Sequence, residues 1–359
     1  MRTFFFFALF ILVSLSAGFV TAQTKQVAPV PGDPLELATG PTTIADTPEK
    51  RSAILNLLER ARQNNSLHVS GMSPFDLKAT FNASASAGNG ELGVLEESWL
   101  SGAKWRWTEH LGSYSQVRIF HNGVAYDSNP GTYQPLRLEM IRQAIFWPVA
   151  GNFANAVIRV SETSWNGKPL TCALIAGPRA SASQQAGRQW IEEEYCVDPA
   201  TGFLQTYSIA PGTYNVYDYS NAFEFHGHSI ARRITIVQNS MPVATVELTE
   251  MKDLNSTDES LFTPTADMKG PGIMLGSPMR FPQFSKNNSV ATGVVQPIII
   301  HAVLDVSGHV LEAEPLQTAD AALCDAALKL VKNTNYGPAR NRERVQRNVF
   351  INVQFVPAQ

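Results

Sequence analysis

Between residues 75 and 252 apolar and polar side chains keep changing places one by one, and this two-residue rhythm restricts the fold more than any other feature. Phe75, Leu77, Ala79, Phe81 and Ala83 alternate with Asp76, Lys78, Thr80 and Asn82, the pattern of a strand buried on one face. The theme returns near 92–100, 103–110, 114–121, 155–162, 169–176, 188–197, 203–209, 214–219, 230–238 and 243–252. Asn122-Gly123, Asn166-Gly167 and Thr201-Gly202 separate several of these segments, and connections so short join antiparallel neighbours. A sheet of about eleven strands curls or splits rather than lying flat. The reading is therefore mainly β: a large antiparallel curved sheet or open β-barrel with helices, a β-sandwich being the alternative.

Two helices accompany the strands. Thr47 is a good N-cap, Pro48 suits the first helical position and Glu49 the first turn, and Ile54, Leu57, Leu58 and Ala61 follow at helical spacing. A second helix is predicted over Pro135 to Phe146, where Leu136, Met140, Ile141 and Ile145 share a face; inserted between strands, it is a candidate lid.

At the N-terminus, Met1-Arg2-Thr3 precedes an apolar run from Phe4 to Leu15, and Val20 and Ala22 are small residues ahead of Gln23. This is the layout of a signal peptide over residues 1–22, cut after Ala22, and it predicts a periplasmic protein. The alternative is an uncleaved anchor in the inner membrane, since Phe4 to Val20 is little shorter than the roughly 20 residues of a spanning helix. Residues 23–46 hold Pro29, Pro31, Pro34 and Pro41 without a hydrophobic period and read as a flexible leader.

The remaining length exceeds one ordinary core, so two domains are expected. With 28 basic against 31 acidic residues there is no global field to attract nucleic acid. Cys172 and Cys196 fall in consecutive predicted strands, and export permits a disulfide between them, leaving Cys324 as a thiol.

Helix, strand series, Trp99-Leu100-Ser101-Gly102-Ala103-Lys104-Trp105-Arg106 and Asp198-Pro199-Ala200-Thr201-Gly202-Phe203-Leu204 together resemble the LolA-like group of outer-membrane lipoprotein carriers over residues 47–255. The resemblance implies a periplasmic half-barrel. Residues 256–272, with Pro264, Gly270, Pro271 and Gly272, read as a linker.

Residues 273–359 form a small α+β domain. Ile298, Ile300, Ala302, Leu304 and Val306 share one strand face, Ser307-Gly308-His309 turns the chain, and Val310 to Leu316 returns. Thr318 or Asp320 caps a helix with Leu323, Ala326, Ala327, Leu330 and Val331 in one stripe, and Val349 to Phe355 closes the domain as a strand. Pro278-Met279-Arg280-Phe281-Pro282, Gly293-Val294-Val295, Asp305-Val306-Ser307-Gly308-His309-Val310 and Tyr336-Gly337-Pro338-Ala339 resemble the motifs of the TonB C-terminal domain family over residues 273–357. Thr334 stands where many members carry Trp, and no long Pro-rich spacer follows an anchor, so a standard energy transducer is not implied.

No residue set with catalytic or metal-ligand spacing is found. His226-Gly227-His228 reads as a polar strand face, and Glu192 and Glu194 as one solvated face of a strand. Neither Gly-x-Ser-x-Gly nor Cys-x-x-Cys occurs, and no cofactor is called for. The concentration of large apolar side chains is the stronger clue: Phe75, Leu77, Phe81, Trp99, Trp105, Trp107, Phe146 and Trp147 are the candidate lining of a cavity. The expected function is non-enzymatic, an envelope binding protein with a lipid or lipoprotein cargo in the half-barrel and an envelope protein partner at the terminal domain. Val349, Ile351, Val353 and Phe355 mark the candidate docking strand, by strand addition. The alternatives are a TonB-type component of transmembrane transport and an adaptor with no lipid ligand.

Overall fold

The computed structural model describes residues 37–38, 40–84, 90–178, 180, 187–255, 258–270, 278–287, 296–316, 321–338 and 346–357. The expected signal peptide, most of the leader, Gly293-Val294-Val295, the caps Thr318 and Asp320, Ala339 and four linker residues lie outside them. Among the described residues no helix is long and apolar enough to cross a membrane.

After β1 (Thr43–Ile44), α1 spans Pro48–Asn65; Thr47 caps it, its side chain accepting from the Lys50 amide at 3.3 Å. Next come β2 (Phe75–Ser84), β3 (Gly90–Ser101), β4 (Lys104–Leu111), β5 (Tyr114–His121) and β6 (Val124–Asp127). Helix α2 (Leu136–Phe146) intervenes before β7 (Val157–Trp165), β8 (Lys168–Ala176), β9 (Glu193–Val197), β10 (Leu204–Ala210) and β11 (Thr213–Asp218). A small hairpin of β12 (Phe223–Phe225) and β13 (His228–Ile230) precedes β14 (Arg233–Gln238) and β15 (Met241–Asp253). All but the small hairpin join one 13-stranded antiparallel sheet, ordered β1-β7-β8-β9-β10-β11-β14-β15-β2-β3-β4-β5-β6, which is open between β1 and β6. Asn122-Gly123 and Asn166-Gly167 turn its hairpins with positive φ at both residues, as the tight turns between twisted strands require.

The chain order explains the register. β2 lies beside β15, the last strand of the sheet in chain order, because the hairpins run outward from the middle of the sheet in both directions. Alternation then carries one face of every strand inward. Phe75, Trp99, Trp105 and Phe120 sit opposite one another in successive strands, and so do Leu77, Glu97, Trp107, Arg118 and Asp127. The sheet's inner face thus carries an aromatic row beside a mixed charged row. Predicted strand 188–197 shortens to β9, and 230–238 divides between the end of β13 and all of β14.

Helix α2, the candidate lid, is almost wholly buried. Leu136, Leu138, Met140, Ile141, Ile145 and Phe146 are buried, but so are Arg137, Glu139 and Arg142. Ten of its eleven residues are buried, so the helix runs through the interior and takes its charges with it.

The terminal sheet contains β16 (Met279–Asn287), β17 (Gln296–Asp305), β18 (Val310–Pro315) and β19 (Gln346–Pro357) in the order β16-β19-β17-β18, with α3 (Ala321–Lys332) crossing from β18 to β19. Leu323, Ala327 and Val331 pack on Ile298, Ile300, Val349, Ile351, Val353 and Phe355, while Ala326 and Leu330 flank that core. Val306 falls beyond the end of β17 and is exposed. The opposite face, with Ile299, Leu316 and Phe350, packs on Ile209 and Ala210 of β10 and on Trp190 in the turn before β9. Where a free linker was expected, Phe262 is buried and Lys269 exchanges main-chain hydrogen bonds with Asp127 at 3.0 and 3.1 Å, which ties the segment to β6.

Candidate functional site

A cavity of about 800 Å³ lies between the inner face of the large sheet and α2, and Pro278 and Arg280 of the terminal region close one side. Its apolar wall follows directly from the register of β4 and β5. Trp105 stacks on Phe120 with centroids 5.1 Å apart and on Trp107 at 4.3 Å, and Trp147, where α2 ends, completes it. Of the residues nominated from sequence, Trp105, Trp107 and Trp147 face the cavity. Phe75, Leu77, Phe81, Trp99 and Phe146 do not: they belong to a solid core shared with Ile54, Leu57 and Leu58 of α1 and Ile141 and Ile145 of α2. The helices cover β2 and β3 tightly and leave room between β4 and β5 on one side and β8, β9 and β10 on the other.

His68, just after α1, joins the two regions. Its ring lies 4.9 Å from Phe146 and meets Trp147 edge-on at 4.7 Å, and its Nε2 is 2.9 Å from the buried Glu97 carboxylate.

Charges enter the cavity from the second row. Arg118 pairs in a fork with Asp127, its opposite neighbour, with Nη2 2.7 Å from Oδ2. Arg142 of α2 lies over Trp107, its guanidinium carbon 3.4 Å from the ring centroid. Burial lowers its proton affinity to a pKa of about 10, with Glu109 opposing and Arg118 adding to the effect. Burial also raises the Glu109 carboxyl, which accepts from the Tyr114 hydroxyl at 3.2 Å. It pushes Glu139 up to about 7, against the pull of Arg142 and a hydrogen bond with the Asn348 side chain.

A second polar group lies on β9 and β10. Glu193 accepts from the hydroxyls of Tyr195 at 2.7 Å and Tyr207 at 3.4 Å. Arg280 donates to the carbonyls of Trp190 at 2.9 Å and Ile209 at 2.5 Å, so the Pro-x-Arg-aromatic-Pro segment is fastened across the sheet beside the cavity. The terminal domain is also held by Arg137, which donates to both oxygens of Glu314 at 2.7 and 2.6 Å and to Gln238 at 2.6 Å. Gln346 brackets Gln134 through main-chain contacts of 2.7 and 3.0 Å, and Tyr133 bonds Glu312. Burial and the nearby Arg137 hold His301, stacked on Phe350 at this interface, down to about 3.

The proposed docking strand needs correction. β19 is paired along its length with β16 on one side and β17 on the other, so Val349, Ile351, Val353 and Phe355 line an interior strand. A parallel partner from upstream in the chain takes the side that was expected to be open. The outer strands are β16, with Phe284 exposed, and β18, with Leu311 exposed.

The Cys172–Cys196 disulfide is present, between residues directly opposite in β8 and β9, while Cys324 is buried in the terminal core. Among the described residues, Cys172, Glu194 and Cys196 form the one grouping with metal-ligand proximity, and its two sulfurs are bonded to each other. His226-Gly227-His228 is a hairpin turn rather than an extended face, with His226 at φ 45°. Glu192 and Glu194 are buried instead of solvated, and Glu192 holds Arg159 at 2.7 and 2.6 Å.

Arg118, Glu139, Arg142, Glu193 and Arg280 were not nominated from sequence. The α2 pair gave no local signal, because Leu136, Met140, Ile141 and Ile145 share one face and leave Glu139 and Arg142 where a wet face would lie.

No family model matches the chain, and no curated protein matches it. Among solved structures, a LolA superfamily protein from Nitrosomonas europaea is 13% identical and aligns with a TM-score of 0.40, over 58% of this chain and 97% of its own. A DUF1329 family protein from Desulfovibrio piger is 6% identical at a TM-score of 0.38, over 59% and 96% of the two chains.

Proposed function

We propose that this chain is an exported envelope protein that binds an apolar or lipidated cargo in the cavity of its curved sheet, and that binding rather than catalysis is its role. The observation that carries this is the cavity of about 800 Å³ walled by Trp105, Trp107, Phe120 and Trp147. That volume falls within the roughly 300–1,000 Å³ of small-molecule sites, and stacked indoles offer a large apolar surface. In this reading residues 1–22 direct export to the periplasm, residues 47–255 hold the cargo, and residues 273–359, fastened across the sheet by Arg280 and Arg137, close the cavity and dock to an envelope partner. The exposed Phe284 and Leu311 on the outer strands of the terminal sheet suit such a partner.

Native mass spectrometry of the protein recovered from its own periplasm tests the reading. A mass beginning at Gln23 with an apolar adduct is expected. A mature mass without adduct, together with no binding of acyl-chain probes, removes the cargo role and leaves the adaptor. A retained N-terminus moves the reading to an anchored transport component.

A further inference from the structure

Among the described residues, the charged side chains of the cavity wall each stand near one of opposite sign. Arg118 pairs with Asp127. Arg142 sits in the field of Glu109, Glu139 and Glu97, and Arg280 in that of Glu193. A ligand with a charge of its own would give up its water here and meet like charges whichever sign it carried. The three guanidinium groups oppose a cation, and Glu139 and Glu193 oppose an anion. The wall suits an uncharged molecule.

One polar group in that wall is nonetheless only half used. β9 and β10 set Tyr195 and Tyr207 directly opposite each other, and Glu193, two residues before Tyr195, shares its inward face and borders the cavity. Glu193 Oε2 accepts from both tyrosine hydroxyls, at 2.7 and 3.4 Å. Its Oε1 accepts no hydrogen bond from the described residues. Gln143 of α2 donates to the Tyr207 hydroxyl at 3.2 Å, so Glu193, Tyr207 and Gln143 form one polar corner of the cavity. On the other side stand Trp105, Phe120 and Trp147. An ionised carboxylate accepts hydrogen bonds and donates none, so the corner asks for a donor, and the commonest uncharged donor on an apolar molecule is a hydroxyl. We propose that the ligand of this cavity is an uncharged lipid whose polar end is a hydroxyl, which donates to Glu193 Oε1 while the apolar chain lies against the tryptophan wall of β4 and β5. This rests on the cargo reading above and narrows it from any apolar or lipidated cargo to a neutral alcohol. It also assigns Glu193 as the residue that selects for the polar end.

The test uses the full mature chain, stripped of copurifying lipid and loaded with the fluorescent apolar probe phenylnaphthylamine. Four ligands of one chain length compete the probe off above neutral pH: decanol, methyl decanoate, decanoate and decyltrimethylammonium. Decanol is expected to bind at least about tenfold more tightly than methyl decanoate, which has no donor, and than either charged chain. Glu193→Leu is expected to shrink the advantage of decanol over the methyl ester to less than about threefold. Equal affinity of decanol and methyl decanoate for the wild type overturns the hydroxyl assignment and leaves the apolar-cargo reading intact. Decanoate or decyltrimethylammonium binding as tightly as decanol overturns the choice of an uncharged ligand. Failure of every chain and of the probe to bind overturns both readings. The wild-type comparison decides the matter even if Glu193→Leu does not fold, and an undiminished advantage of decanol in a folded Glu193→Leu variant refutes the role of Glu193.

Discussion

Glu314→Leu is the most informative perturbation of how the terminal domain is held. The Glu314 carboxylate receives two hydrogen bonds from Arg137, at 2.7 and 2.6 Å, and both side chains are only 6% exposed. Each charge-assisted bond contributes roughly 1.5–3 kcal/mol. Removal of the carboxylate therefore loses about 3–6 kcal/mol and strands a buried cation. Arg137 keeps Gln238 Oε1 at 2.6 Å and the Ser84 carbonyl at 3.1 Å, neutral acceptors that soften the loss. The expected cost is thus about 3–4 kcal/mol, near the lower end for breaking a buried pair. Replacing both partners by apolar residues removes the stranded charge, so Arg137→Leu with Glu314→Leu is expected to cost at least about 2 kcal/mol less than Glu314→Leu alone. Urea unfolding followed by tryptophan fluorescence supplies both numbers, and a second, earlier transition in Glu314→Leu would show the terminal domain leaving first. A cost below about 1 kcal/mol for the single change, or a double variant as unstable as the single one, would refute the claim that this ion pair pins the domain across the cavity.

Three further outcomes are expected. The Cys172–Cys196 bridge closes a loop of 24 residues, so Cys172→Ala with Cys196→Ala should lose about 3 kcal/mol in urea; a loss under about 1 would mean the strand pairing alone suffices. Because the Glu139 carboxyl is raised to about 7 in the folded protein, the native state binds the extra proton. Its contribution therefore falls as pH rises from the unfolded value of about 4.3 toward 7, by up to about 1.4 kcal/mol per unit. Glu139→Gln should accordingly gain stability over wild type from pH 5 to pH 8, and parallel curves would contradict the assignment. Gly308 has φ 91°, and a Cβ there would meet the main chain of Gly337; Gly308→Ala should cost more than about 1 kcal/mol, read as a lowered unfolding midpoint.

Much of the scaffold was legible in the residues alone. Alternation at Phe75–Ala83 identified a one-sided strand, Asn122-Gly123 and Asn166-Gly167 identified hairpins, and Thr47-Pro48-Glu49 identified the start of α1, because each depends on backbone rules acting within a few residues. The Cys172–Cys196 pairing was also local in this sense, since the two strands are consecutive in the sheet. Val349–Phe355 was recognisable as a strand, but whether its sides were free depended on β16, a segment some 70 residues upstream with no counterpart in the local pattern.

The site itself was decided by tertiary structure. Alternation says that Phe75, Leu77, Trp99, Trp105 and Trp107 point to one side of a sheet, but not which of them will be covered. That depended on where α1 and α2 came to lie, filling the space above β2 and β3 and leaving it open from β4 and β5 across to β8, β9 and β10. The same packing carried Glu139 and Arg142 into the interior, where a helix that reads locally as an apolar stripe with charges became the polar end of a cavity. Burial on one face is a property of sequence period. A void is a property of how separate elements fail to meet, and only the assembled fold determines it.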